Sequence, residues 1–268
     1  MRAIGHIAVN VFRESVRDKV LYSIVAFAVM LIAVSYLLAQ LTAGQDLKII
    51  KDLGLASIAT FGLLMAIFIG IGLVWKEVER RSIYGLLTKP IRRWEFILGK
   101  YVGLVLTLLV NVAVMTAAFY AVLAYQGWGV DELARRAWPA PPMDPALLSA
   151  IALILVELML VTGIALFFST FSGPFLSAVL TLGLWVIGHF NTDLRNFENV
   201  VESRAAAWLA RGLYYALPNF DTFDIKAQVV QGQHVAASYI ALSVLYGMLY
   251  LAFVLTGAVA IFSRRDFK

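Results

Sequence analysis

The chain has 268 residues, of which 61% are hydrophobic and 15% charged, and its formal net charge is +5. Soluble domains are about 45–50% apolar, so this composition excludes an ordinary soluble globule, and the absence of cysteine excludes disulfides and cysteine metal sites. A basic balance in so apolar a chain is typical of Lys and Arg retained on cytoplasmic loops, so nucleic acid is not expected as a partner.

The first nineteen residues have the pattern of an amphipathic helix. Ile4, Ile7, Ala8 and Val11 recur at helical spacing, whereas polar and basic side chains fall on another face. Such a helix is expected to lie in the membrane interface with its basic face toward anionic lipid headgroups. A solvated lead-in to the first membrane span is the alternative.

Six apolar runs follow and predict an all-α membrane protein with a single domain over residues 1–268. Crossing a bilayer takes about 17–25 mostly apolar residues. The fifth run has only sixteen residues, so we expect a marginal span, or one that needs local thinning of the bilayer or a re-entrant continuation. The runs cover residues 20–41, 53–74, 101–125, 146–168, 175–190 and 238–262.

The connections between these runs differ in length and composition. Residues 44–52 are expected to form a short polar turn, and residues 169–174 a tight turn. The loop 126–145 contains the sequence WPAPP, through which no helix can continue. Within the long loop 191–237, two apolar patches before Pro218 predict a short interfacial helix that ends at this proline.

A charged stretch, residues 75–100, separates the second and third runs. It has seven basic and three acidic residues and is expected to lie in water beside the membrane. Pro90 removes a backbone donor and favours a new helix from Ile91, so we expect two helices with a break, lying flat on the cytoplasmic side. Mixed charges around a small apolar face suit docking into a groove of a partner protein. That face consists of Ile83, Leu86 and Leu87.

The distribution of Lys and Arg predicts the orientation of the chain. With six spans and both termini in the cytoplasm, the inner side has four of these residues in 1–19, seven in 75–100 and three in 263–268. The outer loops then have the remaining eight of the 22. Because cytoplasmic loops carry the excess of Lys and Arg, this bias supports cytoplasmic termini.

Two polar residues stand inside the predicted spans, Asn111 in the third and Glu157 near the middle of the fourth. A carboxylate at that depth is costly and usually faces the bundle interior or a cavity. Glu157 is therefore a candidate substrate contact or proton-sensitive site, and Asn111 is a second candidate polar contact. A hydrogen bond between helices, with Glu157 protonated, is the alternative. Gly99 and Gly103 predict close helix packing at the membrane boundary.

Sequence motifs of enzymes are missing. Gly99-Lys100 is followed by Tyr101, so the chain has no phosphate-binding loop of the G-x-x-x-x-G-K-[ST] type. It has neither H-E-x-x-H nor G-x-S-x-G. We therefore expect no enzymatic activity, metal site or cofactor on this chain. The histidines, which lack metal-ligand spacing, are His6, His189 and His234.

Three patches of sequence point to a known family. They are NVFRESVRDKVLY at residues 10–22, ERRSIY and LLTKPIRRWEF within residues 79–96 followed by GK, and LPNFDTFD at residues 217–224. Together they resemble export-type ABC transporter permeases. The resemblance is closest to the branch that includes the permease of nitrous-oxide-reductase copper-site maturation systems.

The resemblance implies a transport subunit in the bacterial cytoplasmic membrane. Two permease subunits, as a homodimer or with a related permease, would sit in the lipid above two separate ATP-binding subunits that bind ATP and Mg²⁺. The charged stretch would contain a coupling helix seated in a groove of the ATPase, with salt bridges from its charged residues and a loop shape set by Pro90. The matching positions are Glu79, Arg80, Ser82, Lys89, Pro90, Arg92, Arg93 and Glu95.

The function implied is that of the membrane subunit of an ATP-driven exporter or membrane-remodelling complex. The alternative is a stand-alone secondary transporter, which would need paired broken spans or several ionisable groups at the midplane. An intramembrane enzyme is disfavoured because no nucleophile–base pair or metal set is found. Nothing in the sequence specifies the substrate.

Overall fold

The computed structural model describes residues 2–41, 46–79, 92–128, 140–190, 212 and 217–264, and for residues 2 and 73–79 it describes the backbone alone. These residues form α-helices, one short 3₁₀ turn at Asp221–Phe223 and no β-strand. The helices are α1 (Arg2–Ser15), α2 (Lys19–Gln40), α3 (Asp46–Glu79), α4 (Arg93–Trp128), α5 (Ala146–Ser169), α6 (Pro174–His189), α7 (Lys226–Val230) and α8 (Ala237–Arg264).

Within the described ranges, five helices are long and apolar enough to cross a membrane: α2, the Asp46–Gly72 part of α3, α4, α5 and α8. Their most apolar stretches differ in burial. The stretches in α3 and α5 are each 67% buried, whereas those in α2 and α8 are 22% and 28% buried. Helices α3 and α5 therefore form the centre of the bundle, and α2 and α8 lie at its periphery.

Helix α6 has only sixteen residues and is not among these five spans, so the predicted count of six is not confirmed. It rises about 24 Å, less than the roughly 30 Å of a hydrocarbon core. A returning segment, residues 217–230, packs on its end, where the backbone N–H of Phe220 donates to the carbonyl of Gly188 at 3.1 Å. Phe220 and Phe223 are buried. The end of α6 is therefore packed against a segment that returns from outside this helix.

The prediction of a polar turn at residues 44–52 is wrong for residues 46–52, because α3 begins at Asp46. Leu47 and Ile50 are buried at helical spacing, so the helix extends beyond its continuous apolar run. Lys51, expected in an outer loop, is also buried, and its Nζ donates to the carbonyl of Pro141 at 2.9 Å. This bond ties the 140–145 segment to α3.

The connection between the second and third apolar runs is shorter than expected, because both ends of the charged stretch, residues 75–100, belong to the flanking helices. Helix α3 continues to Glu79, and α4 runs unbroken from Arg93 to Trp128. A helix does begin close to Ile91, as predicted, but it is not a separate flat helix, because it continues without a break into the third apolar run. Lys100 was expected in water, but it is fully buried. The predicted interfacial helix before Pro218 and the segment 80–91 lie outside the described residues.

The amphipathic helix α1 packs against α4, and the two glycines at the start of α4 make room for it. Built onto Gly99, a Cβ atom would lie 2.8 Å from the Cβ of Ile7. Built onto Gly103, it would lie 2.7 Å from both the carbonyl oxygen of Ala8 and the Cβ of Val11. The predicted close packing at Gly99 and Gly103 is thus confirmed, with α1 as the neighbour.

We predict that Gly103→Ala destabilises the protein by about 1–3 kcal/mol, because the added methyl group overpacks the contact with the backbone of α1. Thermal unfolding of the detergent-solubilised chain measures this loss. The control is Gly183→Ala in α6, where an added Cβ would meet nothing within 4 Å. Equal unfolding temperatures for the two variants would contradict the packing role of Gly103.

Candidate functional site

A polar cluster lies inside the bundle where α6 ends beside the middle of α5. The indole Nε1 of Trp185 donates to Glu157 Oε1 at 2.7 Å. The Nε2 of His189 lies 3.6 Å from the same oxygen, and its Nδ1 lies 3.1 Å from the carbonyl oxygen of Trp185. Glu157 is only 4% exposed. One carboxyl oxygen of α5 therefore meets two side chains of α6.

The hydrogen bonds constrain the protons of the Glu157–His189 pair. A carbonyl oxygen only accepts, so its contact with His189 requires a proton on Nδ1. The Nε2 atom lies 3.6 Å from Glu157 Oε1, beyond hydrogen-bond distance, so the geometry places a proton on Nδ1 and leaves Nε2 unassigned.

Two aromatic rings lie against the imidazole of His189, which is partly exposed. The ring of Trp185 lies 4.3 Å from it between centroids, and the ring of Phe220 is stacked on it at 5.7 Å with an interplanar angle of 16°. Phe220 belongs to the returning segment, in which Lys226 and Asp224 form an ion pair at 3.2 Å. The cluster therefore joins α5, α6 and the returning segment.

Asn111 is not part of this cluster in the described structure. Its Nδ2 donates to the carbonyl of Thr107 at 2.9 Å, one turn earlier in α4. The hydroxyl of Thr107 in turn donates to the carbonyl of Gly103 at 3.0 Å. These bonds satisfy polar groups within one helix, so the structure separates the two polar candidates of the sequence.

Of the eight coupling residues expected from the sequence, Arg80, Ser82, Lys89 and Pro90 lie outside the described residues, as does the side chain of Glu79 at the end of α3.

The remaining three coupling residues stand at the start of α4. Arg92 is exposed. The Oε2 of Glu95 accepts from the backbone N–H of Arg92 at 3.2 Å, so this carboxylate caps the helix by reaching back from its first turn.

Arg93 contacts α8, which lies far from it in the sequence. Its Nη1 donates to the carbonyl oxygens of Phe262 at 3.3 Å and Ser263 at 2.7 Å, in the last turn of α8. Glu95 and Arg93 therefore have partners within this chain.

Trp185 and His189 are absent from the candidate residues of the sequence. They are four positions apart, which places them on one face of a helix. The sequence shows this spacing, but it does not show that the two residues contact Glu157. That contact depends on where α6 ends along α5. Among the described residues, no group of three or more His, Asp or Glu side chains could bind a metal ion.

Comparison with known proteins gives a family match that covers almost the whole chain. A family model described as "ABC-2 family transporter protein" matches residues 6–267. No curated protein has a matching sequence.

We predict that Trp185→Phe destabilises the chain by about 1–3 kcal/mol, because it removes the indole donor and leaves a buried carboxyl oxygen short of a partner. Chemical or thermal unfolding in detergent measures the change. Trp128→Phe is the matched control, since Trp128 is 88% exposed. A loss no larger than that of the control would show that the bond to Glu157 contributes nothing to stability.

Proposed function

Because this chain belongs to the ABC-2 family of transporter proteins, whose members are membrane permease components of ABC transporters, we propose that it couples ATP hydrolysis on a separate subunit to substrate movement. The chain as a whole, residues 1–268, would form one permease domain. Movement would be outward, across or out of the membrane. Family membership over nearly the whole chain is the observation that carries this proposal.

The lengths of α3 and α4 support a contact with a partner outside the bilayer. The two helices have 34 and 36 residues, so each is about 50 Å long. A hydrocarbon core is only about 30 Å thick, and the connection between them, residues 80–92, follows one helix end and precedes the other. This connection is thus suited to meet a soluble ATPase, and movement there would act on α3 and α4 directly.

We assign the docking surface to the end of α3, the connection after it and the residue just before α4. Arg80, Ser82, Lys89 and Arg92 are the proposed contacts, together with Glu79, and Pro90 would set the shape of the connection. Arg93 and Glu95 are removed from this set because α8 and the start of α4 engage them. The partner subunit would bind ATP and Mg²⁺ and would supply the energy.

The membrane side of the proposal concerns partners and orientation. Two copies of the permease, each with an ATP-binding subunit, would make the assembly, and the sparsely buried helices α2 and α8 are available to a second permease or to lipid. Both termini would face the cytoplasm of a bacterial cell, with the chain in its inner membrane. Glu157 could contact substrate only if its bonds to α6 open.

We predict that Arg80→Glu with Arg92→Glu reduces co-purification of the ATP-binding subunit encoded beside this chain by tenfold or more. Reversing charges that pair across an interface costs about 2–5 kcal/mol. Pull-down from detergent-solubilised membranes measures binding, and the mass of the purified complex tests the proposed two-plus-two composition.

The control for docking is Arg135→Glu with Arg136→Glu, an equal charge change in the loop expected on the other side of the membrane. Survival of ATPase binding in the Arg80 and Arg92 variant would overturn the docking surface. Uptake driven by a proton gradient in vesicles that lack any ATPase would overturn ATP coupling itself.

The orientation is open to a direct test, because the chain has no cysteine of its own. We predict that Gln233→Cys, at an exposed position before α8, reacts with a membrane-impermeant maleimide from the outside. Lys268→Cys should react only after the membrane is permeabilised. Outside labelling of Lys268→Cys would contradict the cytoplasmic C-terminus and the crossing of the membrane by the fifth apolar run.

A further inference from the structure

We propose that Arg93 is a positioning residue that transmits movement of the 80–92 connection to the last helix, α8. The inference rests on the proposed function, because it concerns how movement at the docking surface reaches the membrane helices. It adds a third helix to the route, beyond α3 and α4. The route follows from contacts at both ends of α8.

The first step is the contact of Arg93 with backbone carbonyls. Arg93 is the first residue of α4, and its Nη1 donates to Phe262 O at 3.3 Å and to Ser263 O at 2.7 Å. The last carbonyls of a helix lack partners within the helix, and this end carries partial negative charge. The permanently charged guanidinium of Arg93 satisfies two of them at once. The start of α4 is therefore tied to the end of α8.

A layer of aromatic and basic side chains extends this contact along α4. The ring of Phe96 is stacked on that of Phe262, with centroids 5.7 Å apart and an interplanar angle of 20°. Lys100 lies with its Nζ 4.6 Å from the centre of the Phe96 ring. Arg93, Phe96 and Lys100 are spaced by three and four positions, on one face of α4. We call these contacts the α4–α8 clamp.

The clamp adjoins the proposed docking surface. Arg92, an exposed proposed contact, is followed directly by Arg93 in the chain. Displacement of the connection would therefore move the first two turns of α4, and the clamp would carry the end of α8 with them. Without the guanidinium, the stacked rings of Phe96 and Phe262 would remain, but two of the last carbonyls of α8 would lose a charged donor.

The other end of α8 is bonded to the returning segment. Tyr246 accepts at its hydroxyl from the backbone N–H of Asn219 at 2.8 Å. The hydroxyl of Tyr239 donates to the carbonyl of Thr222 at 3.0 Å. Because the same segment stacks Phe220 on His189, α8 joins the clamp to the polar cluster at Glu157. A shift of α8 would thus reach the bonds between α5 and α6.

The experiment uses the complete chain in complex with its ATP-binding subunit. Spin labels at Lys19→Cys and Arg264→Cys, both exposed, report the distance between the start of α2 and the end of α8 in a chain with no other cysteine. We expect ATP binding to shift this distance. In Arg93→Gln the fraction of complexes that shift should fall roughly tenfold, within the range typical of coupling between sites. Arg93→Lys should restore most of the shift, because an ammonium still donates to the two carbonyls.

Pull-down and unfolding measurements separate coupling from docking and folding. Arg93→Gln should retain ATPase binding, whereas Arg92→Glu should weaken it. Phe96→Leu loosens the same clamp without a change of charge and should also reduce the shift. Arg13→Gln, an equal charge change at an exposed position of α1, is the control and should leave the shift intact.

Three outcomes would overturn the inference. An undiminished shift in both Arg93→Gln and Phe96→Leu would show that the clamp does not transmit movement. Loss of ATPase binding in Arg93→Gln would make Arg93 a docking residue instead. Failure of the unsubstituted chain to bind the ATPase would overturn the proposed function first, and the role of Arg93 with it.

Discussion

The structure depends on one constraint: polar groups at membrane depth need partners within the protein, because the hydrocarbon region offers none. The short helix α6 shows how such a partner is supplied. The carbonyl of Gly188, in its last turn, accepts from the backbone N–H of Phe220 in the returning segment. The carboxyl group of Glu157 finds Trp185 and His189 on the neighbouring helix. Non-helical backbone in residues 217–225 is therefore tolerated where it is buried among helices.

Small residues set how closely the helices approach, and they explain why the polar contacts form where they do. At Gly188, an added Cβ would lie 2.6 Å from the carbonyl oxygen of Pro218, and at Gly247 it would lie 2.7 Å from Val156. A side chain at either position would push the returning segment or α8 away from α5 and α6. Close packing in membranes relies on such positions because lipid is as apolar as the helix surfaces.

The two long helices and the last helix meet the proposed ATPase side of the protein in different ways. Helices α3 and α4 are long enough to extend to that side, whereas α8 is connected to the start of α4 by the guanidinium of Arg93. In this arrangement Arg93, a charged residue of the stretch that resembles the family, donates to the backbone of α8. The proposed docking surface is correspondingly smaller than the sequence predicts, and it includes Arg92 but not Arg93.

The sequence by itself determined the class of protein, the long apolar helices, the packing at Gly99 and Gly103 and the presence of a costly carboxylate at Glu157. These features follow from composition, local periodicity and residue size, which can be read from each segment of the sequence without its neighbours in the fold. Only the tertiary structure decided that Lys51 and Lys100 are buried, that Arg93 bonds to Ser263, and that His189 faces Glu157. Each of these depends on where one helix ends beside another far along the chain, and the hydrophobic pattern of a single segment holds no information about that register.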